Sequence, residues 1–127
     1  MKSKKKSPAR PGFSRITEEM KEWSGMLGQE LQRWPHVTSR PMFGLLGYYR
    51  KARIFAALPV TRSIGTPNSI IFKMKSMPPE LLRRAMDDPR LDFEREKPAR
   101  WRSFEIRSAE DLRDAMWWLN QAYERAK

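Results

Sequence analysis

Apolar and polar residues alternate most cleanly over residues 69–75. Ile70, Phe72 and Met74 fall on one side of an extended chain, and Ile71, Lys73 and Lys75 on the other. Successive side chains of a strand point to opposite faces, so this period predicts a strand with its first set in the core and the lysine pair in solvent. Residues 53–58 alternate similarly, with Ile54, Ala56 and Leu58 set against Arg53, Phe55 and Ala57. Residues 45–50 precede them as a partner strand, and Arg50-Lys51-Ala52 makes the polar break that a hairpin needs. Residues 40–58 as a whole read as two antiparallel strands at the centre of a small sheet. Gly44 and Gly47 mark places where a bulge or a close backbone approach is expected. A short strand is expected over residues 36–42, at an edge because Pro35 and Pro41 bracket it. A last strand is expected over residues 99–107, with Phe104 and Ile106 inward and Trp101, Glu105 and Arg107 on the other face. Residues 59–68 read as a loop on their content of Pro59, Gly65, Pro67 and Asn68, and residues 93–97 as an irregular segment or a short strand.

Helical spacing appears at both ends of this region. Met20, Trp23, Leu27, Leu31 and Trp34 recur at intervals of three and four, which places them on one face of a helix over residues 17–34. Thr17 is its expected cap, Glu18 and Glu19 suit the positive end of the helix dipole, and Pro35 ends it. Pro78-Pro79-Glu80 opens a short helix near residues 79–86, with Leu81, Leu82, Ala85 and Met86 as its apolar stripe and Asp87-Asp88-Pro89 as its stop. Leu112, Ala115, Met116, Leu119, Ala122, Tyr123 and Ala126 form an unbroken stripe for a final helix over residues 108–126. Ser108-Ala109-Glu110-Asp111 resembles a capping box with Asp in place of Glu. Trp117 and Trp118 are adjacent, so one must rim the core. Short strands between two long helices predict an α+β fold, with the N-terminal and C-terminal helices packed on one face of a twisted antiparallel sheet.

Charge changes the picture more than composition does. The chain has 127 residues, enough for one domain with a real core, and carries a formal net charge of +11. Residues 31–79 hold eight Lys/Arg and no Asp or Glu, while residues 80–127 hold eleven of each sign. Residues 1–15 hold six Lys/Arg and no acid; their Lys, Ser, Pro and Gly content predicts a disordered basic tail ahead of a single domain over residues 16–127. The positive charge thus belongs to the tail and to the sheet-forming middle. Such a one-sided field favours polyanions, nucleic acid being the commonest, and it also serves solubility. No apolar run approaches the ~20 residues of a membrane span. The basic N-terminus has no apolar stretch behind it, unlike a secretory signal, and the chain has no cysteine. A cytoplasmic location is the expectation.

Candidate chemistry is sparse. His36 is the sole histidine, and no Ser, Cys or acid near it in sequence completes a catalytic pattern. Asp87-Asp88 and Glu110-Asp111 read as a helix stop and a helix start. The sequence points to no catalytic residue, no metal ligand set and no cofactor. The candidates for binding are cations with aromatics beside them. Arg50, Lys51, Arg53, Lys73 and Lys75 suit phosphate contacts, and Tyr48, Tyr49 and Trp101 suit base stacking. Arg100-Trp101-Arg102 interleaves an aromatic with guanidinium groups, and Lys4, Lys5 and Lys6 would add non-specific affinity. Core packing or edge cover by the same residues is the plainer alternative. The loop residues Thr61-Arg62-Ser63 and Gly65-Thr66 could cradle an anion, without Walker spacing.

Arg40-Pro41-Met42-Phe43-Gly44, Gly47-Tyr48-Tyr49 and Arg53-Ile54-Phe55-Ala56 resemble the TfoX N-terminal-domain family, within the MmcQ/YjbR-like group. Ser108-Ala109-Glu110-Asp111-Leu112 and the helix ending in Trp118-Leu119, Ala122-Tyr123 and Ala126 resemble the way such domains close. Leu45 stands where that family's segment has a second glycine. A weaker similarity, through Trp34-Pro35-His36-Val37, is to small "luciferase-family" domains. The resemblance spans residues 16–127 and implies a helix, a small antiparallel sheet and a final helix, with DNA-related or regulatory roles. The expected function is a non-enzymatic basic binding module, either nucleic-acid binding (DNA or RNA) or regulatory. A protein-interaction or small-ligand regulatory domain is the alternative, and an enzyme the last choice.

Overall fold

The computed structural model describes residues 13–92 and 100–127. In chain order the elements are β1 (Phe13–Arg15), α1 (Glu18–Leu31), β2 (Val37–Met42), β3 (Leu45–Arg50), β4 (Arg53–Pro59), β5 (Arg62–Ile64), β6 (Ser69–Lys73), α2 (Pro79–Asp87), β7 (Leu91–Asp92), β8 (Trp101–Glu105), a 3₁₀ turn (Ala109–Asp111) and α3 (Leu112–Glu124). The main sheet has six strands in the order β2-β3-β4-β6-β8-β7, and β1 with β5 forms a two-stranded ribbon. Every pairing is antiparallel. The fold is α+β, as the order of strand and helix periods predicts. Among the described residues no helix is long and apolar enough to cross a membrane.

Helices α1 and α3 cover one face of the sheet. Met20, Trp23, Leu27 and Leu31 of α1 and Ala115, Trp118, Leu119, Ala122 and Tyr123 of α3 are buried against Tyr48, Phe55, Leu58, Ile70, Phe72 and Phe104. Trp118 stacks on Phe72 at 5.9 Å, and each such aromatic contributes on the order of 2–3 kcal/mol by burial. Trp117 takes the rim, with the Arg84 guanidinium 4.0 Å above its ring. The ends of the helices follow local chemistry. Thr17 Oγ1 accepts from Met20 N at 3.0 Å, and Asp111 Oδ2 accepts from Ser108 N at 3.2 Å.

Four expectations need correction. Residues 59–68 are not all loop, because β5 forms there by pairing Arg62, Ser63 and Ile64 with Arg15, Ser14 and Phe13. The same pairing takes residues 13–15 out of the tail; three-residue strands fall below the length at which alternation shows. Met86 lies outside the apolar stripe of α2, 49% exposed, since only Leu81 and Ala85 of that helix are buried. Finally, Phe55 does not alternate with its neighbours. Tyr48 pairs with Ala56 and Tyr49 with Ile54, which leaves Phe55 as the extra residue of a bulge. Its ring lies against Trp34 (6.4 Å) and Tyr123 (5.5 Å), on the helix side. Residues 93–97 and the tail up to residue 12, Lys4, Lys5 and Lys6 included, lie outside the described residues.

Candidate nucleic-acid interface

The bulge at Phe55 also opens the sheet. Strands β4 and β6 pair only through Ala56 with Phe72 and Ala57 with Ile71. Beyond that point Arg53 and Ile54 part from Lys73 and Lys75, and a slot of about 230 Å³ lies between them. The last turns of α3 close its other side with Ala122, Arg125 and Ala126. Four cations, Arg53, Lys73, Lys75 and Arg125, line this slot, and among the described residues no carboxylate does. None of the four is ion-paired with a described residue. The volume falls below the ~300 Å³ at which pockets begin to take whole small molecules, so it suits a single anionic group better.

The slot sits at the C-terminus of α3, where a helix carries about half a negative charge. Two guanidinium groups offset it. Arg50 Nη1 donates to Tyr123 O at 2.9 Å, and Arg125 Nη1 donates to Gln121 O at 3.3 Å and to Gln121 Oε1 at 2.9 Å. Arg53, Lys73 and Lys75 keep their charge unspent. Tyr49 lies at the slot with Ile54, its partner in register, and the Arg40 guanidinium stands 5.3 Å from the Tyr49 ring.

Several sequence candidates therefore gather and others do not. Arg53, Lys73, Lys75 and Tyr49 meet at the slot. Tyr48 does not share that surface: it is 4% exposed under α1, where a Cβ on Gly28 would collide with its hydroxyl. Burial raises its pKa, against a smaller opposing effect of a hydrogen bond with Gln32. Arg50 lies over the Tyr123 ring at 4.3 Å and acts within the core's edge rather than on the outside. Lys51 is exposed at the β3–β4 turn with φ 57°, outside the slot lining. Arg100 and Trp101 border a second cavity on the sheet face turned away from the helices. Arg102 lines that cavity too, although it pairs with Phe72 of the core, and burial lowers its pKa. His36, with φ 64°, is exposed in the turn before β2 and lines none of these cavities.

Sequence reasoning missed Arg125 and Arg40. The signal for Arg125 was present: Ala122 and Ala126, four apart and small, leave space on the helix face beside it. It also missed Arg90, whose role is structural. Its guanidinium grips both oxygens of Asp88 (2.9 and 2.8 Å), reaches Asp111 Oδ1 (2.7 Å) and Asp114 Oδ2 (2.9 Å), and lies 4.7 Å over the Phe104 ring. The hydrogen bond from Arg90 holds the Asp88 carboxyl below its usual range. For Asp111 burial pushes upward, but bonds from the Arg107 amide, Arg90 and the Ser108 amide outweigh it. A cavity of about 890 Å³ adjoins this cluster, yet its bases Arg83, Arg84, Arg90 and Arg107 meet the acids Glu80, Asp87, Asp88 and Asp111 in equal number. It has no net pull on an anion. Comparison of the chain with protein-family models, with curated proteins and with solved structures finds no match.

Proposed function

We propose that this protein is a non-catalytic binding module for nucleic acid, and that the slot at the end of α3 engages the phosphate backbone. The observation that carries the reading is the meeting of Arg53, Lys73, Lys75 and Arg125 around a space that no carboxylate of the described residues lines. Like charges held together cost free energy in the absence of a counter-anion, so a bound phosphate is favoured there. Arg40 and Tyr49 extend the same surface. The resemblance of residues 40–56 to TfoX N-terminal domains agrees with a DNA-related or regulatory role.

The test is titration of the full chain with duplex DNA, single-stranded DNA and RNA at rising salt. Four phosphate contacts on a single strand predict a log–log slope of roughly −3, or about 50-fold weaker binding at 200 mM than at 50 mM salt. Absence of binding at low salt, or binding indifferent to salt, would overturn the proposal. A protein-binding role has one observation in its favour: Phe43 is 82% exposed at the tip of the β2–β3 hairpin. It predicts partner capture that survives Lys73→Glu with Lys75→Glu and fails with Phe43→Ser.

A further inference from the structure

The slot does not end at its cations. Lys73, which lines it, pairs directly with Trp101 of β8, and both side chains point away from the helices. Trp101 belongs to a second cavity of about 480 Å³, whose apolar lining is Met42, Ile64, Ile71 and Trp101. Gly47 lies between the two spaces. A Cβ built there would stand 3.3 Å from Ile54 Cδ1, which lines the slot, and 2.8 Å from Met42 Sδ, which lines the second cavity. The cationic slot, which opens between β4 and β6 down to α3, and the apolar groove are therefore neighbours, joined at Gly47 and at the Lys73–Trp101 pair on the sheet face turned away from the helices. Asp92 and Ser103 pair in register and also line the groove. Arg100 and Arg102 line the groove as well, but Asp92 offsets one of them, so an anion is held less strongly there than at the slot with its four cations; the anion has its place at the slot and an uncharged ring its place in the groove against Trp101.

We infer that this face holds a nucleotide unit of a single strand, with its phosphate at Arg53, Lys73 and Lys75 and its base in the groove against Trp101. The inference rests on the nucleic-acid reading above and adds the class of nucleic acid. Opposed residues in an antiparallel pair lie about 5 Å apart at Cα, close enough for one nucleotide to reach both. Bases of a duplex are paired and stacked, and only a base free of both can enter an apolar groove edgewise and stack on an indole. Asp92 offers an acceptor to an exocyclic amino group, which cytosine and adenine have and thymine lacks.

The experiment compares three fluorescently labelled probes at 50 mM salt: a mixed-sequence single-stranded DNA 12-mer, an abasic backbone of the same length, and the 12-mer's duplex. The single strand is expected to bind about tenfold tighter than the abasic strand, and tighter than the duplex. Trp101→Ala is expected to remove that advantage without changing abasic binding, while Trp101→Phe retains most of it. Circular dichroism checks that the variants fold, and the comparison of probes on the unaltered protein needs no variant. Equal binding of single and abasic strands, preference for the duplex, or equal weakening of both strands by Trp101→Ala would overturn the inference and leave the phosphate-binding reading standing. Failure of all three probes to bind would remove that reading itself.

Discussion

Two clusters of cations in this molecule are built from the same residue types and have opposite uses. At Arg90 one guanidinium is surrounded by Asp88, Asp111 and Asp114, its charge is met, and it ties the end of α2 to the start of α3. At the slot, Arg53, Lys73, Lys75 and Arg125 meet with no acid among the described residues that line it. Whether carboxylates are gathered separates the cluster that fastens the fold from the one that we propose as a surface for phosphate. The division follows the sequence, because residues 31–79 contain no Asp or Glu and residues 80–127 balance both signs.

The largest contrast is expected from removing one residue of the first cluster. Arg90→Met leaves three carboxylates near one another with no counter-charge, and should cost about 3 kcal/mol in urea unfolding. A cost below about 0.5 kcal/mol would mean that the cluster is surface decoration. The matching change at the slot, Lys73→Glu with Lys75→Glu, should leave stability within about 0.5 kcal/mol, because neither side chain is ion-paired with a described residue. The same variant should weaken single-strand binding roughly 100-fold at 50 mM salt.

Arg50 and Arg53 sharpen the comparison, since they pair in one hairpin and go separate ways. Arg50→Met removes a bond to Tyr123 O and a guanidinium from the Tyr123 ring, and should cost about 1 kcal/mol of stability with little effect on binding. Arg53→Met should do the reverse, lowering affinity about fivefold with stability unchanged. The smallest effect is expected from pH. Asp88 and Asp111 have lowered pKa values in the folded state, so the stability they add is full above about pH 4 and is lost as pH falls through their folded values. Unfolding free energy should therefore drop on acidification in the parent and less steeply in Arg90→Met.

Much of the architecture was legible because it is periodic. Ile70, Phe72 and Met74 declared a strand, and Leu112 to Tyr123 a helix, by the spacing of apolar residues alone. What escaped was non-local. β1 and β5 exist only through each other, and β7 has two residues, too few to show a pattern. The bulge at Phe55 inverts one side chain, and no residue in β4 announces it. The site was half legible for a related reason. Lys73 and Lys75 were exposed by alternation, but Tyr48 and Arg50 point to the helix side by their place in β3. Arg125 reaches the slot only because the chain returns there 50 residues later. Arg90 meets Asp111 and Asp114 from a distance of 21 and 24 residues, beyond any local rule.

The central proposal is that cations without a described carboxylate beside them converge at the splayed end of β4 and β6 to hold phosphate. The most direct test is the salt dependence of single-strand binding by the unaltered chain beside Lys73→Glu with Lys75→Glu. The account predicts a log–log slope of roughly −3 or steeper for the first and a slope shallower by at least about 1.4 for the second. Equal slopes for the two proteins would place phosphate binding elsewhere and contradict it.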